Sequence, residues 1–169
     1  MSGSVDAVVL LLDEGAFANA RETANGQTPL MFAAWEDRAD VIRLLIDRGA
    51  HVGLTSWVVS MAEQQYDSDG NPLPTRRPRA PGGNSVMGGM TALLFAARDG
   101  HLAAVEALVE GGANVDQVAG GEGSSPTVIA IANGHYTVAK YLLDVGADPN
   151  VENVDGLAPL YATINMRFA

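Results

Sequence analysis

Three histidines, His51, His101 and His135, are the side chains of this 169-residue sequence best suited to acid–base or metal chemistry. None belongs to a His-Glu-x-x-His pair, and no Gly-x-Ser-x-Gly elbow or Gly-Lys-Thr phosphate cradle occurs anywhere. Gly120 to Gly123 is glycine-rich but has no lysine beside it. Carboxylates do come in pairs, Glu36 with Asp37 and Asp67 with Asp69, on segments expected to be exposed, where nothing pushes their pKa values apart. Asp67-Ser68-Asp69-Gly70-Asn71 alternates oxygen ligands as a calcium loop does. The twelfth position, where that loop needs a bidentate glutamate, is Pro78. With no cysteine, thiolate chemistry, disulfides and Cys-ligated metals are excluded. The expectation is a chain with no catalytic residue, no metal and no cofactor.

The formal charge of −10, from 20 acidic and 10 basic residues, argues against nucleic acid, whose binding needs clustered Lys and Arg. Apolar runs such as Ala7 to Leu12 fall far short of the roughly 20 residues that span a bilayer, and no basic stretch opens the chain as an export signal would. Apolar residues make up 47% of the chain and charged residues 18%, the balance of a folded soluble domain.

What positions the polar residues is a repeat. Leu11-Leu12-Asp13-Glu14-Gly15-Ala16 returns at Leu45 to Ala50, Leu108 to Ala113 and Leu142 to Ala147, with glycines spaced 34, 63 and 34 residues apart. In phase with it run Thr28-Pro29-Leu30, Thr91-Ala92-Leu93, Ser125-Pro126-Thr127 and Ala158-Pro159-Leu160. The second connection carries about 29 extra residues.

A hydroxyl residue followed by proline and an apolar run is a helix start, because the side chain caps free amides and proline lacks only an amide that would go unpaired. Gly100-His101 and Gly134-His135 break this short helix. A second helix follows, as at Ala39 to Arg48, where Val41, Leu44 and Leu45 share one face. The glycine after it suits a left-handed cap. The unit is therefore helix, turn, helix, loop.

Thr28-Pro29-Leu30-Met31-Phe32-Ala33-Ala34 and Gly100-His101-Leu102 onward resemble the Thr-Pro-Leu-His-x-Ala-Ala and Gly-His segments of the ankyrin repeat family, whose period of about 33 also agrees. The resemblance implies an all-α ankyrin-repeat solenoid with one long loop insertion. In that register residues 1–169 form one domain. A half repeat covers 3–27, whole repeats cover 28–52, 91–124 and 125–157, a half repeat covers 158–169, and the insertion covers 53–90. The family's motif histidine is replaced by Met31, Leu94, Val128 and Tyr161, so stability must lean on apolar packing. Asp37-Arg38 replaces one Gly-His. Ala158 replaces a capping threonine, a loss of about 1 kcal/mol.

The resemblance also implies a protein-protein interaction module, a rigid scaffold that binds a partner protein through its concave face and finger loops. On the concave helix face the corresponding residues are Trp35 and Glu36, Arg98 and Asp99, and Asn133. On the fingers they are Arg21, Glu22, Asn25 and Gln27, Gln117 and Glu122, and Glu152, Asn153 and Asp155. Trp35 carries the most weight, since tryptophan dominates interface energies. The competing reading has it packing against the neighbouring insert. The two Gly-His histidines are structural in the family.

The insert is the idiosyncratic part. Ser56 to Tyr66 is read as a short helix with Trp57 and Met61 close to one face. Thr75 to Gly83 is proline-broken and extended, and brings Arg76, Arg77 and Arg79 together on an otherwise acidic molecule. Those arginines and Trp57 are candidate recognition residues; the plainer alternative is a tolerated excursion. Val8 to Leu12 at one end and Leu160, Tyr161 and Ile164 at the other are apolar where a terminal repeat is normally polar. This suggests an excerpt of a longer array, or self-association through uncapped ends. The remaining alternative is a part of a larger enzyme or sensor whose activity lies in the insert or in flanking regions.

Overall fold

The computed structural model describes residues 3–60 and 86–165. Each hydroxyl signal starts a helix. Thr91 Oγ1 accepts the Leu94 amide at 3.3 Å and Ser125 Oγ accepts the Val128 amide at 3.3 Å. At the first of these caps the Thr28 amide donates to Met31 Sδ at 3.4 Å, so the residue replacing the motif histidine still makes a local contact. The resulting helices are α1 (Gly3–Asp13), α2 (Pro29–Trp35), α3 (Ala39–Asp47), α4 (Ala92–Asp99), α5 (Leu102–Glu110), α6 (Pro126–Ala132), α7 (Tyr136–Asp144) and α8 (Pro159–Asn165). Apart from α1, they have seven to nine residues, too short to persist alone in water, so packing must hold them.

Packing arranges them in two rows. The inner row runs α2, α4, α6, α8 and the outer row α1, α3, α5, α7, each helix resting on the next in its row. Pairs α2/α3, α4/α5 and α6/α7 close the repeats. This is the all-α repeat fold expected. Although the insert separates α3 from α4 in sequence, α2 packs on α4 and α3 on α5, so the stack crosses it without a gap. Ala34, Ala96, Ala97, Ala104, Ala107 and Ala130 are wholly buried between the rows, with Leu30, Leu45, Leu93, Leu108 and Leu142 filling the core. Small side chains are what allow seven-residue helices to approach closely on both sides.

Each outer helix ends in a Gly-Ala turn whose glycine has φ between 86 and 103°, a conformation that only glycine adopts without strain. Asp37 departs from this rule. It stands where two other repeats have Gly100 and Gly134, and takes φ 52° with a full side chain. Its Oδ1 accepts the Ala104 amide at 3.3 Å, in the first turn of α5 one repeat away. The left-handed backbone is thus partly offset by a cap on the neighbouring helix.

The helix expected over Ser56 to Tyr66 is not formed in its described part. Val58–Ser60 is instead a strand, β1, paired antiparallel with β2 (Val86–Gly88) in the register Val58↔Gly88, Val59↔Met87 and Ser60↔Val86. Two consecutive β-branched valines favour this pairing, and Ser56 and Met90 anchor it from below, the Ser56 amide donating to the Met90 carbonyl at 2.9 Å. Met61 to Tyr66 lie outside the described residues. No described helix is long and apolar enough to cross a membrane.

Candidate interaction surface

Seven residues after each capping hydroxyl, at the C-terminal end of an inner helix, the chain places Trp35 and Arg98; one residue further come Glu36, Asp99 and Asn133. The stack aligns these ends into a row. Trp35 lies between Phe32 of its own helix, at a ring-centroid distance of 6.4 Å, and Phe95 of α4, at 6.2 Å, with interplanar angles of 19° and 14°. The Arg98 guanidinium covers the Trp35 ring at 5.7 Å and the Phe95 ring at 5.1 Å. Phe95 is buried, while Phe32 and Trp35 are each 44% exposed. The result is an aromatic ladder capped by a cation, a contact worth about 0.5–2 kcal/mol depending on desolvation.

Arg98 is held from its other side. Its Nε and Nη2 donate to Asp99 Oδ1 and Oδ2 at 2.9 and 3.0 Å, a forked pair. The Arg98 hydrogen bonds hold the Asp99 carboxyl below its ordinary pKa against the opposing effect of partial burial, helped by the charges of Arg98, His101 and His135. His101 reaches back across one repeat, Nε2 lying 2.9 Å from the Trp35 carbonyl oxygen. The His135 ring lies where a side chain on Gly100 would be; a Cβ there would stand 2.4 Å from Nδ1. Both Gly-His histidines therefore serve as spacers between repeats. Asn133 is exposed and turns its amide onto the Ile129 carbonyl of its own helix at 2.8 Å. Glu36 is exposed at the end of α2.

Beside the inner helices stand the fingers, four chain reversals in register. Their stems close through amide-to-carbonyl bonds from Glu22 to Gln27, Ser56 to Met90, Ala119 to Ser124 and Asn153 to Leu157. Each stem is tied to the next. The Trp57 amide donates to the Asn25 carbonyl at 2.7 Å, Gly120 and Gly121 donate to the carbonyls of Gly89 and Gly88 at 3.0 and 3.2 Å, and Val154 donates to Glu122 at 3.1 Å. The β1–β2 pair is thus the second finger continued outward. Bare backbones permit these approaches: a Cβ on Gly89 would lie 2.5 Å from the Gly120 Cα, and one on Gly26 would lie 2.4 Å from the Trp57 indole.

Several expected finger contacts are spent within the protein. Arg21 Nη1 donates to the carbonyls of Gly26 and Thr55, both at 2.7 Å. The Glu22 carboxylate accepts the amides of Gln27, Ala24 and Asn25, Gln27 having the largest effect, and these bonds lower its pKa. Gln117 Nε2 donates to the Gly53 carbonyl at 3.2 Å, and Asn153 Oδ1 accepts the amides of Asp155 and Leu157. Of the expected finger residues Arg21, Asn25, Glu122, Glu152 and Asp155 are exposed, and Trp57 is 46% exposed. Arg76, Arg77, Arg79 and the Asp67–Asn71 stretch lie outside the described residues. Among the described residues no group of three or more His, Asp or Glu side chains converges on a metal position.

Phe32 and Phe95 were not among the residues that the sequence singled out. Their separation of 63 equals that of the caps Thr28 and Thr91, so the repeat register itself places them on one face.

A family model described as ankyrin repeats in three copies matches residues 1–56 and 77–153. The sex-determining protein fem-1 of Caenorhabditis elegans is 47% identical over 49 residues, covering 24% of this chain and 8% of its own length. The ankyrin repeat and KH domain-containing protein mask-1 of the same organism is 30% identical over 149 residues, covering 85% of this chain and 6% of its own. The ankyrin repeat, SAM and basic leucine zipper domain-containing protein 1 of Callithrix jacchus is 32% identical over 109 residues, covering 59% of this chain and 22% of its own. The chain thus spans less than a quarter of the length of these curated relatives.

Proposed function

This chain belongs to the ankyrin repeat family, and from that premise we propose that it is a protein-binding module with no chemistry of its own, recognising a partner protein through the aromatic ladder and the adjoining fingers. The observation that carries this reading is the half-exposed Trp35, fixed between Phe32 and Phe95 and capped by Arg98. A large apolar ring whose orientation is already set loses little freedom on binding, which is the condition for an interface anchor. Glu36, Asp99 and Asn133 rim this anchor along the inner row, and Arg98 supplies hydrogen-bond donors left over from its pair with Asp99. Trp57, Arg76, Arg77 and Arg79 are the recognition residues of the lengthened second finger. This finger starts from a stem clamped to both neighbours, so its base has a set direction.

The test is affinity capture of partners followed by titration of a captured protein against three forms of the chain. Trp35→Ala is expected to weaken binding tenfold or more with helical circular dichroism unchanged. Replacement of residues 61–85 by an Asn-Gly turn joining β1 to β2 is expected to lower affinity with the stack intact. Full affinity in the Trp35 variant refutes the ladder as anchor, and full affinity in the shortened variant removes the insert from recognition.

A further inference from the structure

Positive charge is used up on the side of the molecule that carries the ladder and the fingers. Among the described residues the cations there are Arg21 and Arg98, and both are turned inward. Arg21 donates to the carbonyls of Gly26 and Thr55, and Arg98 is forked onto Asp99 while it covers Trp35. The other described cations, Arg38, Arg43, Arg48 and Lys140, belong to outer helices or their caps and pair with Asp40, Glu110, Asp13 and Asp144. Carboxylates are left over on the ladder side. Glu36 beside Trp35, Glu122 on the third finger, and Glu152 and Asp155 at the fourth are exposed, and among the described residues no cation pairs with them.

A segment that covers Trp35 must also pass over Glu36 and Asp37, the next two residues of the chain and both exposed. A neutral segment takes their carboxylates out of water with no counter-charge, and an acidic one sets like charges against them. Only a cationic segment answers both costs. We propose, resting on the reading of Trp35 as the anchor, that the partner segment taken by this face is basic, with Lys or Arg laid over Trp35 and its charged head on Glu36. Its aliphatic stem suits the indole, its head is attracted by the ring face, and the two contacts fit one long side chain. Asp37 contributes its second oxygen, since Oδ1 already accepts the Ala104 amide. Arg98 does not repel this cation in full, because Asp99 answers its charge.

Further basic residues of the segment meet Glu122 and then Glu152 and Asp155. From α2 to α8 the inner row takes three helix-to-helix steps, or about 25–30 Å. An extended segment of about nine residues covers that distance. The chain's net charge of −10 also draws a basic segment in from solution.

Selection of displayed random peptides of about twelve residues on the native chain, at near-physiological salt, tests this. Lys and Arg are expected in excess among selected peptides whose binding needs Trp35. For such a peptide, Glu36→Gln combined with Glu122→Gln is expected to weaken binding about threefold or more. Glu14→Gln combined with Asp47→Asn, the same change of charge on the outer row, is expected to leave it as it was. Trp35-dependent peptides without an excess of Lys and Arg overturn the basic occupant and leave the anchor standing. Basic peptides that ignore the first pair of substitutions, or lose as much to the second, also overturn it, being held by overall charge alone. If no selected peptide depends on Trp35, the anchor itself is refuted and this inference falls with it. All four substituted residues are exposed, and far-ultraviolet circular dichroism checks folding.

Discussion

Ser125 and Thr127 stand two residues apart at the start of α6, both 1% exposed, and their hydroxyls have opposite fates. Ser125 Oγ accepts the Val128 amide at 3.3 Å, whereas Thr127 Oγ1 is buried with no hydrogen-bond partner. Thr127 occupies the motif position that Leu30 and Leu93 fill elsewhere. An unpaired buried hydroxyl costs about 1–3 kcal/mol. Thr127→Val keeps the branched shape and exchanges that hydroxyl for a methyl group, which by itself is worth about 0.8 kcal/mol when buried. The net expectation is a stabilisation of about 2 kcal/mol. Ser125→Ala should do the reverse, losing the cap and leaving the Val128 amide unpaired, at about 1 kcal/mol or more. Because α6 packs on α4, α7 and α8, either change is felt on three sides of the stack. Urea unfolding followed by helical circular dichroism reads both. The comparison uses the midpoint where the slope is unchanged, since repeat arrays can lose cooperativity. A Thr127→Val midpoint equal to or below that of the parent refutes the assignment of an orphan hydroxyl, and a Ser125→Ala midpoint above the parent refutes the cap.

Further substitutions probe the rows and the fingers. Gly26→Ala places a side chain 2.4 Å from the Trp57 indole at φ 68°, so a loss of about 2 kcal/mol is expected, with a shift in tryptophan emission as the ring is displaced. Asp37→Gly should be close to neutral in the same unfolding assay, the relief of left-handed strain offsetting the lost bond to Ala104; Asp37→Ala keeps the strain, loses the bond and should cost about 1–2 kcal/mol. The depressed pKa of Asp99 means that its stabilising contribution is present above the ordinary carboxylate value and is lost as pH falls through the folded value. Arg98→Gln should therefore lower stability at neutral pH and flatten the further loss below about pH 4, while Asp99 titrates closer to its ordinary range by nuclear magnetic resonance.

The repeat is legible because its marks are backbone events that few residue types can perform. A Ser or Thr before proline stops amides going unpaired, and a glycine after a helix turns the chain left-handed, so caps and turns can be read off one sequence without a partner in view. The second finger shows where that kind of reading fails. Trp57 and Met61 have helical spacing within a window of a few residues, but what decides the conformation is Met90, which pairs with Ser56 across 34 positions. No local window contains that bond. The ladder falls between these cases. Trp35 and Arg98 are visible as candidates at equivalent positions, yet that Arg98 lies over the Trp35 ring and is forked onto Asp99 depends on side-chain directions that the register does not fix.

Contacts that set the ladder repeatedly connect neighbouring repeats. His101 Nε2 meets the Trp35 carbonyl 66 residues away, Asp37 meets the Ala104 amide 67 residues away, and in the fingers Arg21 meets the Thr55 carbonyl 34 residues away. Each span is one repeat, with the insert added where the pair straddles it. In a solenoid the interface between neighbours is also the main source of stability beyond each repeat's own, so the same contacts that hold the rows together aim the exposed rings. A substitution at His101, which is not in the ladder, removes the tether from the end of α2 and must disturb Trp35 through its backbone. The proposed recognition and the stability of the stack are therefore not separable at this face, and a variant made to test binding here is informative only beside its own unfolding curve.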